Sequence, residues 1–199
     1  MKPVNLKMVP VVVGGSGEKK VELSVSSDYV MDSVGTRLSL FPWEAQSLAD
    51  VLQCVLPSPR LVDLIWEKAD LKLEPKSLTT NRGSQATLIQ HNNLINQQIN
   101  GREFTLVAGH KKDIVLSSRI PAGKVVIYGW HKLDGKPIQP ESSIHSASYK
   151  DYSHGTRLIS RKVVVDGVGM DIWDAVNTPT WKQLIESRTL VRAYPANKP

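Results

Sequence analysis

The residues best suited to acid–base chemistry are the five histidines, which all lie between positions 91 and 154. Histidine changes charge near neutral pH, so it is the usual general acid, general base or metal ligand of a protein. Histidines at strand ends can converge in space although they are far apart in sequence. We therefore expect at least two to share one site, the alternative being separate surface or core-edge residues. Four lie next to glycine, turn or polar residues: His110, His131, His145 and His154.

An acid–base pair is predicted where Asp151 precedes His154 by three residues. An aspartate that hydrogen-bonds to an imidazole fixes its tautomer and raises its basicity, as in catalytic triads. His154 is thus the expected general base, and Asp151 its orienting partner. Further acid–base groups are expected among His145, His131 and His110. A hydrogen bond that only closes a loop is the alternative interpretation of Asp151.

The same stretch of sequence offers candidates for substrate binding. Arg157 suits bidentate contact with a carboxylate or phosphate, and Lys112 supplies a second positive charge. Tyr149 and Trp130 are aromatic residues of the kind that line a ligand groove. The alternatives are a solvent-exposed lysine and aromatic residues that only fill strand positions.

A second interpretation of the histidines is a metal site, with His110, Asp113, His131 and His154 as candidate ligands. The sequence contains no H-E-x-x-H zinc signature. On a strand, the spacing of His110 and Asp113 places their side chains on opposite faces. The sequence therefore requires no cofactor, although zinc is possible.

Cys54 is the only cysteine, which excludes an internal disulfide and a cysteine-based zinc cluster. It follows the helical pattern that begins at Pro42, so we expect it at the C-terminal end of that helix. There the helix dipole has the wrong sign for lowering the pKa of a nucleophilic thiol. The prediction is a small, buried, apolar cysteine.

The run from Ile144 to Leu158 resembles the signature of L,D-transpeptidase catalytic domains, in which an I-H-G stretch precedes S-H-G-C-(I/V)-R-L. The resemblance covers about fifteen residues. It implies that His154 corresponds to the family's base and His145 to its upstream histidine. The family's nucleophilic cysteine is absent, because Thr156 follows the glycine. Threonine is a poor nucleophile unless a base acts on it.

Most of residues 42–165 also resembles an uncharacterised group of bacterial proteins, many of which are secreted. This resemblance implies a shared polar site and supplies no mechanism. The segments that carry it are G-H-K-K-D at 109–113, Y-G-W-H at 128–131, P-I-Q-P at 137–140 and D-Y-S-H-G-T-R at 151–157.

The charge balance favours an anionic polymer or peptide as the partner, since the chain has a net charge of +6 and a pI of about 9.4. A nucleic acid is possible, but no nucleic-acid motif with interleaved aromatic residues occurs. No apolar run approaches the roughly 20 residues that cross a bilayer. The apolar stretch Met8–Val13 is interrupted by Pro10 and is too short for a signal peptide, so the localisation is open.

Hydrophobic periodicity predicts the elements that must position these residues. We expect an α+β fold, in which an N-terminal helical segment packs on a mainly antiparallel β-sheet or barrel-like β region. The single domain spans 1–199. Its parts are a β-rich segment (1–39), a helical part (40–100), a β part with the candidate site (101–175) and a C-terminal helix and tail (176–199).

Local signals set the expected ends of these elements. Ser58 and Ser84 are predicted helix N-caps, and Asn100-Gly101 ends the third helix. Asp134-Gly135 and Asp166-Gly167 are hairpin signals. Strands are expected over 104–108, 113–117, 124–131 and 158–165, and the prolines of 137–140 predict a loop.

The function expected from these observations is a hydrolase or transferase that acts on bacterial cell-wall peptides with a His/Asp acid–base site. One alternative is a non-catalytic binding or structural module, either phage-borne or wall-associated. The other is a histidine-based nuclease or phosphodiesterase, in which two histidines act as acid and base and a lysine steadies the phosphate.

Overall fold

The computed structural model describes residues 6–15, 19–118, 120–186, 190 and 194–195. These residues form a mixed α+β structure whose first two elements are strands. The strands are β1 Met8–Gly14, β2 Lys20–Ser26, β3 Cys54–Val55, β4 Leu71–Lys72, β5 Val107–Ala108, β6 Lys112–Ile114, β7 Ile127–His131, β8 Pro137–Ser142, β9 His154–Gly155, β10 Ile159–Ser160, β11 Lys162–Val165 and β12 Val168–Asp171. The helices are α1 Pro42–Val51, α2 Pro59–Lys68, α3 Gln85–Ile99, α4 Ile172–Ala175 and α5 Pro179–Leu184.

The larger sheet is a curled antiparallel half-barrel with the strand order β12-β11-β2-β10-β3, in which β1 also pairs with β2. Its first strand alternates in burial, because Val9, Val11 and Val13 face the core while Pro10 and Val12 face outward. The main apolar core lies against this face and includes residues of α1, α2 and α5. The α+β class is therefore confirmed.

The candidate region lies in a second sheet, with the order β8-β7-β6-β9. Its central strands β6 and β7 are antiparallel, whereas β9 runs parallel to β6. A separate parallel pair, β4–β5, connects the end of α2 to the stretch that leads into β6.

Several local signals in the sequence are confirmed. The hydroxyl of Ser58 accepts the backbone N–H of Leu61 at the start of α2, and Ser84 caps α3 in the same way. Asn100 ends α3 in the left-handed conformation, with φ 49°. The β11–β12 turn has positive φ at both Asp166 and Gly167, as a type I′ hairpin turn requires.

Other expectations about the fold are wrong. The helical segment is not N-terminal, because β1 and β2 precede α1. Residues 137–140 form part of strand β8 and not a loop. Strand β8 lies at the edge of its sheet, where a proline without an N–H is tolerated. Helix α1 ends at Val51, so Cys54 lies in β3 rather than at a helix terminus.

Most strands around the candidate region are shorter than their apolar runs. The 104–108 run pairs only at 107–108, the 113–117 run yields β6 at 112–114, and the 158–165 run is split into β10 and β11. Burial continues beyond the paired residues, since Val115 and Leu116 are buried without belonging to a strand. Within the described residues, no helix combines the length and the apolar character needed to span a membrane.

Candidate functional site

Strand β9 positions the candidate site by pairing with β6. Lys112 lies opposite His154, and Asp113 lies opposite Gly155. A Cβ atom at Gly155 would come within 2.6 Å of the Tyr29 ring. Only glycine therefore allows β9 to pack this closely, which gives a structural reason for the glycine that follows the histidine.

The His154 ring is almost completely buried, with 1% of the residue exposed. Neither of its ring nitrogens has a hydrogen-bond partner within the described part of the chain. Burial lowers the pKa of His154 to about 4, and the nearby Lys112 and His145 act in the same direction, while Asp151 opposes them. The imidazole is thus neutral at physiological pH and has a nitrogen lone pair that can accept a proton.

His145 and Tyr149 lie beside His154. Their rings stack on each other with centroids 4.3 Å apart. The His154 centroid lies 6.2 Å from His145 and 5.8 Å from Tyr149. Both flanking residues are half-buried, and burial lowers the pKa of His145 as well. The structure therefore brings two of the five histidines together at the protein surface.

The Asp151 carboxylate does not hydrogen-bond to the His154 ring. One oxygen accepts the backbone N–H and the hydroxyl of Ser153, and the other accepts Arg82 and the Tyr149 hydroxyl. Burial alone raises the pKa of Asp151, but the interactions with His154, Ser153 and Tyr149 outweigh it and hold that pKa well below its usual range. Asp151 therefore fixes Tyr149 and the turn before His154, and it acts on the imidazole only through its charge.

Lys112 places a positive charge at this site. Its Nζ lies 4.9 Å from the centroid of the Trp130 ring, a cation–π contact. Burial lowers the pKa of Lys112, and the described residues include no carboxylate in ion-pair contact with it. A mostly buried ammonium group beside an aromatic ring is well placed to receive an anionic ligand group.

Two further histidines lie in other environments. His110 Nε2 lies 3.0 Å from Asp28 Oδ1, and Arg37 binds the same carboxylate through Nε and Nη2. His131 Nε2 lies 2.9 Å from Asp63 Oδ1 and stacks on Trp66. His110 and His131 therefore lie in two separate hydrogen-bonded clusters and do not share a site, and their catalytic roles stay predictions.

Arg157 lies in the core, with 1% of the residue exposed. Its guanidinium donates to the carbonyl oxygens of Ser26 and Val107 and lies over the Tyr29 ring at 4.3 Å. The hydroxyl of Tyr29 in turn donates to Asp113, whose pKa burial raises to about 6. Arg157 and Asp113 thus join the two sheets, and the arginine that reaches the candidate site is Arg82.

The four candidate metal ligands do not form a cluster. His110, His131 and His154 each have different neighbours, and Asp113 is hydrogen-bonded to Tyr29. Over the described ranges, no group of three or more histidine, cysteine or carboxylate side chains is arranged to hold a metal ion. A zinc site at these positions therefore has no geometric support in the described residues.

The two remaining candidate nucleophiles are both buried. The Cys54 thiol donates to the carbonyl oxygen of Leu52, and burial raises its pKa. Thr156, which occupies the position of the cysteine in the transpeptidase signature, is fully buried, and within the described chain its hydroxyl has no hydrogen-bond partner. Neither side chain is hydrogen-bonded to His154, so neither is paired with the candidate base.

Comparison with known proteins adds no relative: no family model, no curated protein and no solved structure matches this chain. The interpretation of the site therefore depends on its geometry and on the resemblance of the sequence motif.

Sequence reasoning missed several residues of these clusters. Arg82 lies in the stretch before α3, and nothing in its local sequence connects it with Asp151, 69 positions later. Asp28 and Arg37 are equally remote from His110 in sequence. Ser153, by contrast, could have been found, because a serine two residues after an aspartate is a common hydrogen-bond partner of its carboxylate.

Proposed function

We propose that the protein is a hydrolase or transferase of bacterial cell-wall peptides and that His154 is its general base. The observation that carries the proposal is the buried, unpaired His154 ring beside His145 and Tyr149. An imidazole whose pKa is about 4 is neutral at pH 7 and is a weak base while it is buried, so it takes up a proton once the site opens and the ring is no longer desolvated. The fully buried His91 also has unpaired ring nitrogens, and His154 is distinguished from it by its place beside the half-buried His145 and the Lys112 ammonium group.

Hydrolysis by water is the reaction that this arrangement supports best. Since neither Thr156 nor Cys54 is hydrogen-bonded to His154, the nucleophile is a water molecule that loses its proton to the imidazole. Its oxygen bonds to the peptide carbonyl carbon, the C–N bond breaks, and the leaving amine takes up a proton. The protonated His154 then gives this proton to the leaving amine, because the lowered pKa of His145 keeps the second imidazole neutral near pH 7.

Substrate access requires a local movement. Because His154 is almost fully covered, a peptide reaches it when the stacked His145–Tyr149 pair moves aside. Lys112 then receives a substrate carboxylate, a group that is abundant in cell-wall peptides. The resemblance of residues 144–158 to the transpeptidase signature supports the same substrate class, since it places a histidine at both of these positions.

The test is incubation of the purified protein and its His154→Gln variant with peptidoglycan sacculi, followed by quantification of new amino and reducing ends. The expected result is release of amino ends by the wild type and loss of at least about 100-fold in rate in the variant, the scale of general-base catalysis. His131→Gln is the matched control, because it removes a histidine outside the site and should retain the activity.

New ends from neither protein, over a range of pH and with or without zinc, would contradict the proposal. Equal release by both proteins would contradict the role of His154. Incubation with RNA in parallel tests the nuclease alternative, which expects cleavage that falls steeply with salt.

A binding module is the second candidate, and a specific observation favours it. The charged groups of Asp151, Arg82 and Arg157 all take part in contacts within the protein, and among the described residues no nucleophilic side chain is hydrogen-bonded to His154. This candidate expects both proteins to bind sacculi equally well in a sedimentation assay, without releasing any ends.

A further inference from the structure

An apolar cavity of about 310 Å³ lies next to the candidate site. Its walls include Trp43, Ile120, Pro121, Ala147 and Tyr194. We refer to it as the Trp43 cavity. Ligand pockets typically have volumes of roughly 300–1,000 Å³, so this cavity suits one side chain or another small group rather than a polymer.

The Trp43 cavity and the candidate site share one segment of chain. Ala147 lines the cavity, and His145 and Tyr149 lie two residues before and after it. Hydrogen bonds fix this segment to the adjacent part of the lining: the Ala147 N–H donates to the Gly123 carbonyl at 2.8 Å, and Lys124 Nζ donates to the Ile144 carbonyl at 3.1 Å. The two sites are therefore adjacent along the backbone and mechanically connected.

The wall opposite Ala147 is held in place before any ligand binds. Trp43 stacks on Phe41 with ring centroids 4.5 Å apart, and Lys150 lies over the other member of the stack, Phe41, at 4.1 Å. Lys150 also pairs with Glu44 at 3.2 Å. A preorganised aromatic wall lowers the entropic cost of binding an apolar group.

Charge indicates what kind of molecule would fill the cavity. Lys124 lies at its edge, and Lys112, beside His154, has no ion-pair partner within the described residues. A ligand that placed an apolar group in the cavity would thus meet positive charge in the neighbouring site. A peptide that bears a free carboxylate satisfies both requirements.

We infer that the Trp43 cavity binds the apolar side chain of a carboxylate-bearing peptide whose reacting end lies at His145 and His154. For the chemistry of that end the inference rests on the proposed function. The cavity accounts for the choice of side chain, and the histidine site accounts for the reaction.

The test uses two probes, N-acetyl-leucine and N-acetylglycine, which share an amide and a carboxylate and differ only in the side chain. Titrated into the full-length, isotope-labelled protein, N-acetyl-leucine should shift the NMR signals of Gly123, Ala147 and the Trp43 indole. N-acetylglycine should leave these signals unchanged and bind about tenfold more weakly, in line with the loss of a buried aliphatic side chain.

Two variants test the cavity itself. Ala147→Phe fills the space and should abolish the advantage of N-acetyl-leucine, whereas Ser148→Phe, at an exposed neighbouring position, should preserve it. Trp43→Ala enlarges the cavity and should shift the preference toward N-acetyl-tryptophan. This change in preference requires a folded protein, so a loss of fold cannot imitate it.

The inference is overturned if both probes shift the same signals equally, or if Ala147→Phe keeps the preference for leucine. Its failure can be told apart from failure of the proposed function. If N-acetyl-leucine shifts the NMR signals of the cavity residues but no ends are released from sacculi, only the proposed hydrolase activity is rejected. Release that depends on His154 but shows no side-chain preference would reject the cavity alone.

Discussion

His110 and His154 are both buried, yet they lie in opposite kinds of surroundings. His110 hydrogen-bonds to Asp28, and Arg37 donates to the same carboxylate. Nη1 of Arg37 also donates to the side-chain oxygens of Asn92 and Asn96. No residue of the described chain hydrogen-bonds to the ring nitrogens of His154. The comparison teaches that burial of a histidine does not reveal its role. Unpaired ring nitrogens do not reveal it by themselves either, because the fully buried His91 shares them with His154, and His154 differs in lying beside the half-buried His145.

The Asp28 cluster should contribute the larger share of stability. Asp28→Ala leaves Arg37 and His110 without their carboxylate in the core, and removal of one partner of a buried pair costs about 3–5 kcal/mol. The free energy of unfolding, measured by denaturation with urea, should fall by that amount. Glu74→Gln is the control, because the Glu74–Lys76 pair is exposed and its loss should leave the unfolding midpoint unchanged.

If Asp28→Ala unfolds no more easily than Glu74→Gln, the Asp28 cluster does not stabilise the fold, and the contrast with the His154 site is contradicted.

Gly155 tests the contact that joins the two regions, since it ends β9 and packs against the ring of Tyr29. Gly155→Ala introduces a Cβ only 2.6 Å from that ring, so overpacking should cost about 2 kcal/mol. Gly169→Ala is the matched control, because no atom lies within 4 Å of the added carbon. Equal melting temperatures for the two variants would show that β9 can move away from Tyr29 at no cost.

The pH dependence of the free energy of unfolding tests whether His154 is buried as a neutral imidazole. Its pKa is about 4 in the folded protein and about 6.5 in the unfolded chain, so between these values the unfolded chain binds more protons. Stability should therefore decrease as pH falls from 6.5 to 4, by about 1.4 kcal/mol per pH unit for this residue.

The measurement is the free energy of unfolding of the wild type and of His154→Gln at several pH values. His154→Gln should lose this contribution and show a shallower slope between pH 6.5 and 4. Parallel slopes for the two proteins would mean that His154 has a partner or solvent contact in solution.

Tyr149→Phe gives the smallest expected change in stability. It removes the hydrogen bond from the Tyr149 hydroxyl to Asp151 and should cost about 1 kcal/mol. Tyr128→Phe removes a similar bond to Asp63 outside the site and serves as the control. If the proposed function is correct, only Tyr149→Phe should also raise the rate on sacculi, because it releases the ring that must move aside for a peptide to reach His154.

Short-range features of the fold were accessible from the sequence. The caps at Ser58 and Ser84 and the turn at Asp166-Gly167 depend on side chains within a few residues of one another, so their physics is local. Strand lengths were not accessible in the same way. A buried apolar run predicts burial, but whether its backbone pairs with another strand depends on a partner elsewhere in the chain.

The candidate site also combines residues that the sequence predicts with contacts that depend on distant parts of the chain. Its histidines His145 and His154 were predicted from their residue type and from the resemblance of residues 144–158 to the transpeptidase signature. The contacts of Asp151 were not predicted, since its carboxylate accepts hydrogen bonds from Ser153, Arg82 and Tyr149 and none from the neighbouring imidazole. A spacing of three residues permits a hydrogen bond without making it the most favourable one available.

The sequence by itself determined the α+β class, the helix caps, the turns and the concentration of titratable groups between residues 91 and 157. Only the tertiary structure decided which of those groups are paired. Burial makes an isolated charge costly, so Asp28, Arg37 and His110 are satisfied by one another across long sequence separations. The same packing encloses His154 and His91 without supplying hydrogen-bond partners from the described residues, and the position of His154 beside the half-buried His145 is what makes it the candidate base.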